Sequence, residues 1–129
     1  MRLVSVNVSL PKLVEFRGRA VSTSIFKEPV AGRVLVRRLS LEGDWQADLR
    51  SHGGLNKAVY AYPLEHYARW SEELGRDDLC PGQFGENLTV EGLMEEAVRL
   101  GDTFRVGGTL ATLQRSRRLV KGPPGVAQV

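Results

Sequence analysis

A mostly-β domain with one main helix is the fold class this sequence predicts, and three observations carry it. Short runs of Val, Ile, Leu and Tyr recur along the chain between turns rich in Gly and Pro. Only residues 63–75 change from a period of two to helical spacing. No strand–helix–strand alternation, G-x-G-x-x-G or Walker-type loop is visible, which argues against a nucleotide-binding α/β fold.

Taken in order, "LVSVNVSL" places Val4, Val6 and Val8 on one face, the pattern of a half-buried strand. "RAVSTSIF", "GRVLVRRLS" and "KAVYAY" follow as strand candidates, rich in residues that fit a pleated surface. "PLEHYARWSEELG" reads as the helix. Pro63 suits its first turn, Leu64, Tyr67, Trp70 (or Ser71) and Leu74 recur at helical spacing, and Gly75 suits a left-handed C-terminal cap. "GENLTVEGL", "AVRLGDTFRVGG" and "TLATLQ" complete the strands, with Gly-Asp and Gly-Gly at plausible turns. The end, "KGPPGVAQV", is expected to be poorly ordered.

Length and composition bound the function. At 129 residues the chain makes one domain with one real core. No run of about 18 apolar residues is present, so no membrane span is predicted. The opening "MRLVSVNVSLPKL" lacks a signal-peptide pattern. Cys80 is the single cysteine; no internal disulfide or four-ligand cysteine zinc site can form, which suits a cytoplasmic protein. The net charge of +3 belongs to the end of the chain. Arg115, Arg117, Arg118 and Lys121 are four of the 18 basic groups, so the preceding residues carry 14 against 15 acidic groups. A nucleic-acid reader spreads its basic residues over a folded face with interleaved aromatics, and this body does not. The division is therefore a domain over residues 1–114 and a basic, divergent tail over 115–129.

Three polar, glycine-bearing stretches ask for more than packing. "LEGDWQADLRSHGGLNKAVYAYP" alternates Asp44, Gln46 and Asp48 on one face, then offers His52, Gly53, Gly54 and Lys57. Glycine lets the backbone approach a ligand, and an imidazole and an ammonium beside it suit an anionic or polar one. A charged surface hairpin with Asp–Lys pairing explains the same residues. "CPGQFGENLTVEG" sets Glu86 and Asn87 at a strand entrance after two tight glycine turns, and a Pro-Gly turn with a solvated Glu is the plain alternative. "STSIFKEPVAG" puts Thr23, Ser24 and Lys27 before a proline-bounded turn.

Together the strings "SIFKEPVAGRV", "LSLEGDWQADLRSHGGLNKAVYAYPLEHYARW" and "PGQFGENLTVEGL" resemble the MOSC family, named for the C-terminal domain of molybdenum cofactor sulfurases, and its stand-alone bacterial members above all. The resemblance covers residues 3–114. It implies a β-barrel whose cleft holds the pterin-based molybdenum cofactor, with sulfur handling or reduction of N-hydroxylated substrates as the chemistry. It further implies that Thr23 and Lys27, His52, Gly53, Gly54 and Lys57, and Glu86 and Asn87 line that cleft. Pyridoxal phosphate is not expected, because in sulfurases it belongs to a separate aminotransferase domain. The family runs on into Gln-Pro-Arg-x-Pro-Cys-x-Lys, whose cysteine ligates molybdenum. Here "QRSRRLVK" aligns Leu119 with that cysteine, and leucine ligates no metal. Cys80 lies in another segment and reads as a buried or incidental thiol.

That departure is what a frameshift or early stop in a longer gene produces, and equally what a genuine short form shows. It keeps three function classes open: a molybdenum-cofactor reductase or sulfur carrier, a non-catalytic cofactor- or anion-binding module, and, less favoured, a nucleic-acid-binding barrel. Loss of the family's C-terminal region is also expected to leave apolar surface uncovered and so favour a homo-oligomer.

Overall fold

The structure, a computed structural model, describes residues 1–37, 40–45 and 59–113, with the backbone of 115–117 and 126–128. Its strands are β1 (Arg2–Val8), β2 (Lys12–Phe16), β3 (Arg19–Thr23), β4 (Glu28–Pro29), β5 (Tyr60–Pro63), β6 (Leu88–Glu91), β7 (Thr103–Val106), β8 (Thr109–Thr112), β9 (Arg115–Arg117) and β10 (Val126–Gln128). One α-helix, α1 (Glu65–Leu74), stands between β5 and β6. Among the described residues the class is mostly β with a single α-helix, as expected.

Six strands form one sheet in the order β4-β1-β6-β5-β10-β9, and β2–β3 and β7–β8 are separate hairpins. Val6 and Val8 of β1 pack against a core of Leu41, Ala61, Leu88 and Val90. Asn7, between them on the other face, is fully buried as well. β1 therefore carries core on one side and a polar network on the other. β9 and β10 both lie in the segment expected to be a divergent tail, and there the backbone of three residues each joins the sheet.

Four sequence expectations are corrected. β5 and β6 are parallel, with Ala61 opposite Leu88 and Tyr62 opposite Thr89, so β5–α1–β6 is a strand–helix–strand unit. Periodicity hid it because each strand is only four residues long. Pro63 closes β5 instead of opening the helix; Leu64 continues the ladder by donating its N–H to Val90 O at 2.6 Å. Leu74, which continues the helical spacing of apolar residues, is exposed, whereas Gly75 caps the helix in the left-handed conformation as expected. Of "GRVLVRRLS", the described residues keep only a bridge between Val36 and Leu41. β2, by contrast, had not been expected. It turns into β3 through Arg17 (φ 51°) and Gly18 (φ 74°), and two successive positive φ values make a tight hairpin turn without the usual Asn-Gly signature.

The turn before β6 positions the polar network, and its glycines are sterically required. Gly82 has φ 91°, and a Cβ there would lie 2.5 Å from the carbonyl oxygen of Lys27. A Cβ on Gly85 (φ 79°) would lie 2.9 Å from Ile25 Cγ1. The Gly82–Gly85 turn is thus pressed against the Ile25–Lys27 segment. Gly82→Ala is expected to cost ~3 kcal/mol, from left-handed strain plus overpacking, read as a lowered denaturation midpoint. Gly101→Ala is the control: φ is also 91° but nothing lies within 4 Å of the added carbon, so only the backbone strain of ~1 kcal/mol should remain.

Candidate functional site

Asp44 is where the separate polar stretches meet. Gly43 (φ 82°) turns the chain after Leu41, and Trp45 N–H donates to Ser9 O at 3.2 Å, which pins this turn to the end of β1. Asp44 is 3% exposed. Its Oδ1 accepts from the Ser9 N–H at 2.8 Å and from Lys27 Nζ at 2.5 Å. Its Oδ2 accepts from Asn87 Nδ2 at 2.8 Å. One carboxylate therefore ties together the end of β1, the β3–β4 connection and the entrance to β6. The Lys27 side chain is nearly as buried, at 7% exposed, so the two charges form an ion pair out of water.

Asn87 splices three strands. It donates to Asn7 O at 3.3 Å as well as to Asp44, and its Oδ1 accepts from the Tyr60 N–H at 3.0 Å. Both its donors and its acceptor are used inside the fold, so its side chain has little left to offer a ligand.

Glu86 faces inward. It is fully buried; Oε1 accepts from the Gly82 N–H at 2.9 Å, the Thr89 hydroxyl at 2.8 Å and the Tyr67 hydroxyl, and Oε2 accepts from the Phe84 N–H at 3.2 Å. Thr89 Oγ1 in turn accepts from Asn7 Nδ2 at 3.1 Å, and Asn7 Oδ1 from Ser5 Oγ at 2.7 Å. This chain of donors shapes the turn from within. Phe84 projects from the same turn into an aromatic cluster, with ring centroids 5.1 Å from Tyr62 and 5.0 Å from Tyr67. Burial pushes the Tyr62 hydroxyl up to about 12, against the opposing pull of the Trp70 indole N–H that donates to it. Burial, then the Glu86 carboxylate, raises Tyr67 as well, and burial raises Tyr60. Tyr67 therefore stays protonated at neutral pH and keeps donating to Glu86.

Of the residues expected to line a site, Lys27 and Asn87 are brought together through Asp44. Glu86 adjoins them but points into the interior. Thr23 is half-buried at the end of β3, where its Oγ1 accepts from the Ile25 N–H at 3.3 Å. His52, Gly53, Gly54 and Lys57 lie outside the described residues, as do Gln46, Asp48 and Leu119. Cys80 is exposed, not buried, with Sγ 3.5 Å from Gln83 Oε1. Among the described residues no group of three His, Cys, Asp or Glu could hold a metal ion, and no helix is long and apolar enough to cross a membrane. Asn7, Ser9, Tyr67 and Thr89 were missed, because Asn, Ser, Tyr and Thr in or beside strands are ordinary. The available signal was an asparagine inside a valine-alternating strand.

Residues 48–118 match the family described as MOSC domain. The chain is 44% identical over 116 residues to the uncharacterized protein YflK of Bacillus subtilis (strain 168), covering 90% of this chain and 52% of YflK. It is 33% identical over 92 residues to a protein named reductase from Gibberella moniliformis (strain M3125 / FGSC 7600), covering 70% of this chain and 16% of that protein. Among solved structures, YiiM from Geobacillus stearothermophilus superposes with a TM-score of 0.66 at 36% identity, covering 91% of this chain and 51% of that one. The chain thus spans about half the length of YflK and of YiiM.

Proposed function

Because this chain belongs to the MOSC domain family, we propose that it binds the pterin-based molybdenum cofactor by its anionic end, beside the Lys27–Asp44–Asn87 junction. The observation that supports this most is the buried ammonium of Lys27. It has three N–H donors and commits one to Asp44 among the described contacts. A salt bridge alone would not require burying a lysine there, and the remaining donors suit a phosphoryl group. Thr23 would add its hydroxyl proton, and His52, Gly53, Gly54 and Lys57 an imidazole, close backbone approach and a second ammonium. Glu86 and Asn87 would act by holding the turn, since their side chains are already bonded.

The residues fit the phosphate end of the cofactor better than its metal end. When bound, the cofactor supplies a two-electron redox centre that side chains lack. The cysteine that would ligate its metal is Leu119 here, so the reductase or sulfur-carrier reading for small N-hydroxylated or sulfur-containing substrates competes with a binding module that keeps the pterin without redox turnover. A cytoplasmic setting fits the single cysteine. Exposed Leu13 and Phe16 on the β2–β3 hairpin fit association between copies.

The test is to purify the chain from a host that makes the cofactor, then measure molybdenum by mass spectrometry and released pterin by fluorescence. Pterin with stoichiometric molybdenum is expected for an active enzyme, and pterin with little molybdenum for the binding module. Absence of both would overturn the cofactor reading.

A further inference from the structure

We propose that Ser24 is a ligand contact, its buried hydroxyl held for an oxygen of a phosphate monoester. Ser24 is 8% exposed, and its Oγ is the single buried side-chain nitrogen or oxygen without a hydrogen-bond partner among the described residues. A buried polar group left unpaired costs stability, and alanine would remove that cost. Fold stability therefore gives no reason for a hydroxyl here.

The backbone that carries this hydroxyl is held on both sides. The local turn is closed without it, since the Ile25 N–H donates to Thr23 Oγ1 at 3.3 Å and the Lys27 N–H to Ile25 O at 2.9 Å. On either side of that turn, the Gly82–Gly85 backbone abuts Ile25 and Lys27 closely enough to exclude a methyl group. Ser24 thus lies on a clamped strip of backbone, three positions along the chain from Lys27, whose ammonium is partly committed. A hydroxyl and an ammonium both donate, so the complementary ligand atom is an anionic oxygen. The inference rests on the reading above, in which the Thr23–Lys27 segment faces the anionic end of a ligand, and adds a residue to it.

The experiment compares the wild-type chain with Ser24→Ala and Ser24→Cys, using inorganic phosphate, a 6-hydroxymethylpterin phosphate ester and the unphosphorylated pterin as probes. Thermal midpoints are measured without ligand, and affinities by calorimetry. Ser24→Ala is expected to melt at the wild-type temperature or above it, yet to bind the phosphate ester about 10-fold more weakly, the effect of one hydrogen bond to a charged group. Ser24→Cys, close in volume but a weak donor, should fall between. Equal affinity for inorganic phosphate and the ester would assign the contact to free phosphate, and preference for the ester to the pterin.

A stabilised Ser24→Ala with unchanged affinity would overturn the proposal and leave the hydroxyl a plain orphan. A destabilised Ser24→Ala would overturn it too, by showing a partner within the protein. If the wild-type chain binds neither phosphorylated probe, the reading of the whole site fails, an outcome distinct from failure at Ser24 alone.

Discussion

Glu86→Ala should leave the chain largely unfolded in dilute buffer. Four donors, two backbone N–H groups and two hydroxyls, converge on this one fully buried carboxylate. Each buried donor left without an acceptor costs about 1–3 kcal/mol. Even with water entering beside Phe84, the loss should reach ~5 kcal/mol, comparable with the whole stability of a domain this size. Glu86→Gln should be milder, about 2–3 kcal/mol, because one oxygen survives while an amide N–H now faces another donor. Urea denaturation followed by tryptophan fluorescence reads both. A midpoint for Glu86→Ala within ~0.5 M of wild type would show that the carboxylate is dispensable to the turn.

Asp44→Ala is expected to cost about 3–5 kcal/mol, because it strands the buried Lys27 ammonium. It also removes the acceptor for the Ser9 N–H and for one N–H of Asn87. The informative comparison is Lys27→Met with Asp44→Leu. Replacing both charges by apolar groups of similar bulk removes the unpaired ion and should recover much of the loss, although the Ser9 and Asn87 donors stay unmet. A double-mutant cycle then yields the coupling directly, and additive single effects would mean that the two groups do not act as a pair. The cycle separates a structural ion pair from a ligand site, since phosphate affinity of the doubly apolar variant reports what Lys27 does beyond holding Asp44.

What was legible in the sequence follows the reach of each signal. α1 and β1 were readable because their patterning is local: helical spacing up to Trp70, and valines at every second position of β1. The β7–β8 hairpin was readable from Gly107-Gly108. The parallel β5–β6 pair was not, since its register depends on Asn87 bonding Tyr60 across 27 residues. Before β6, the glycines marked a tight turn, and the pressure of Gly82 and Gly85 on Ile25–Lys27 bears out the close approach expected of it. Side-chain direction was the illegible part. Glu86 at a strand entrance looks the same in sequence whether it faces solvent or interior, and the donors that turn it inward come from Tyr67, Gly82, Phe84 and Thr89. Asp44 was visible as one of three alternating polar residues, but its partners Ser9, Lys27 and Asn87 are scattered along the chain.

The polar network on β1 also has a consequence for birth on the ribosome. Asn7 finds its acceptors at Glu86 and Thr89, 79 and 82 residues later, and β1 lines up beside β6 at similar separation. At about 5–20 residues per second, translation holds the first strand without these partners for roughly 4–16 s. Through that interval its valines and an unsatisfied asparagine are open to other chains or to chaperones. The junction around Asp44 cannot close earlier, because Asn87 reaches it in the same late step. Pairings of such long sequence separation fold slowly. The closing of the Asp44 junction and the pairing of β1 with β6 are therefore one event, and a nascent chain stalled before residue 87 would carry neither.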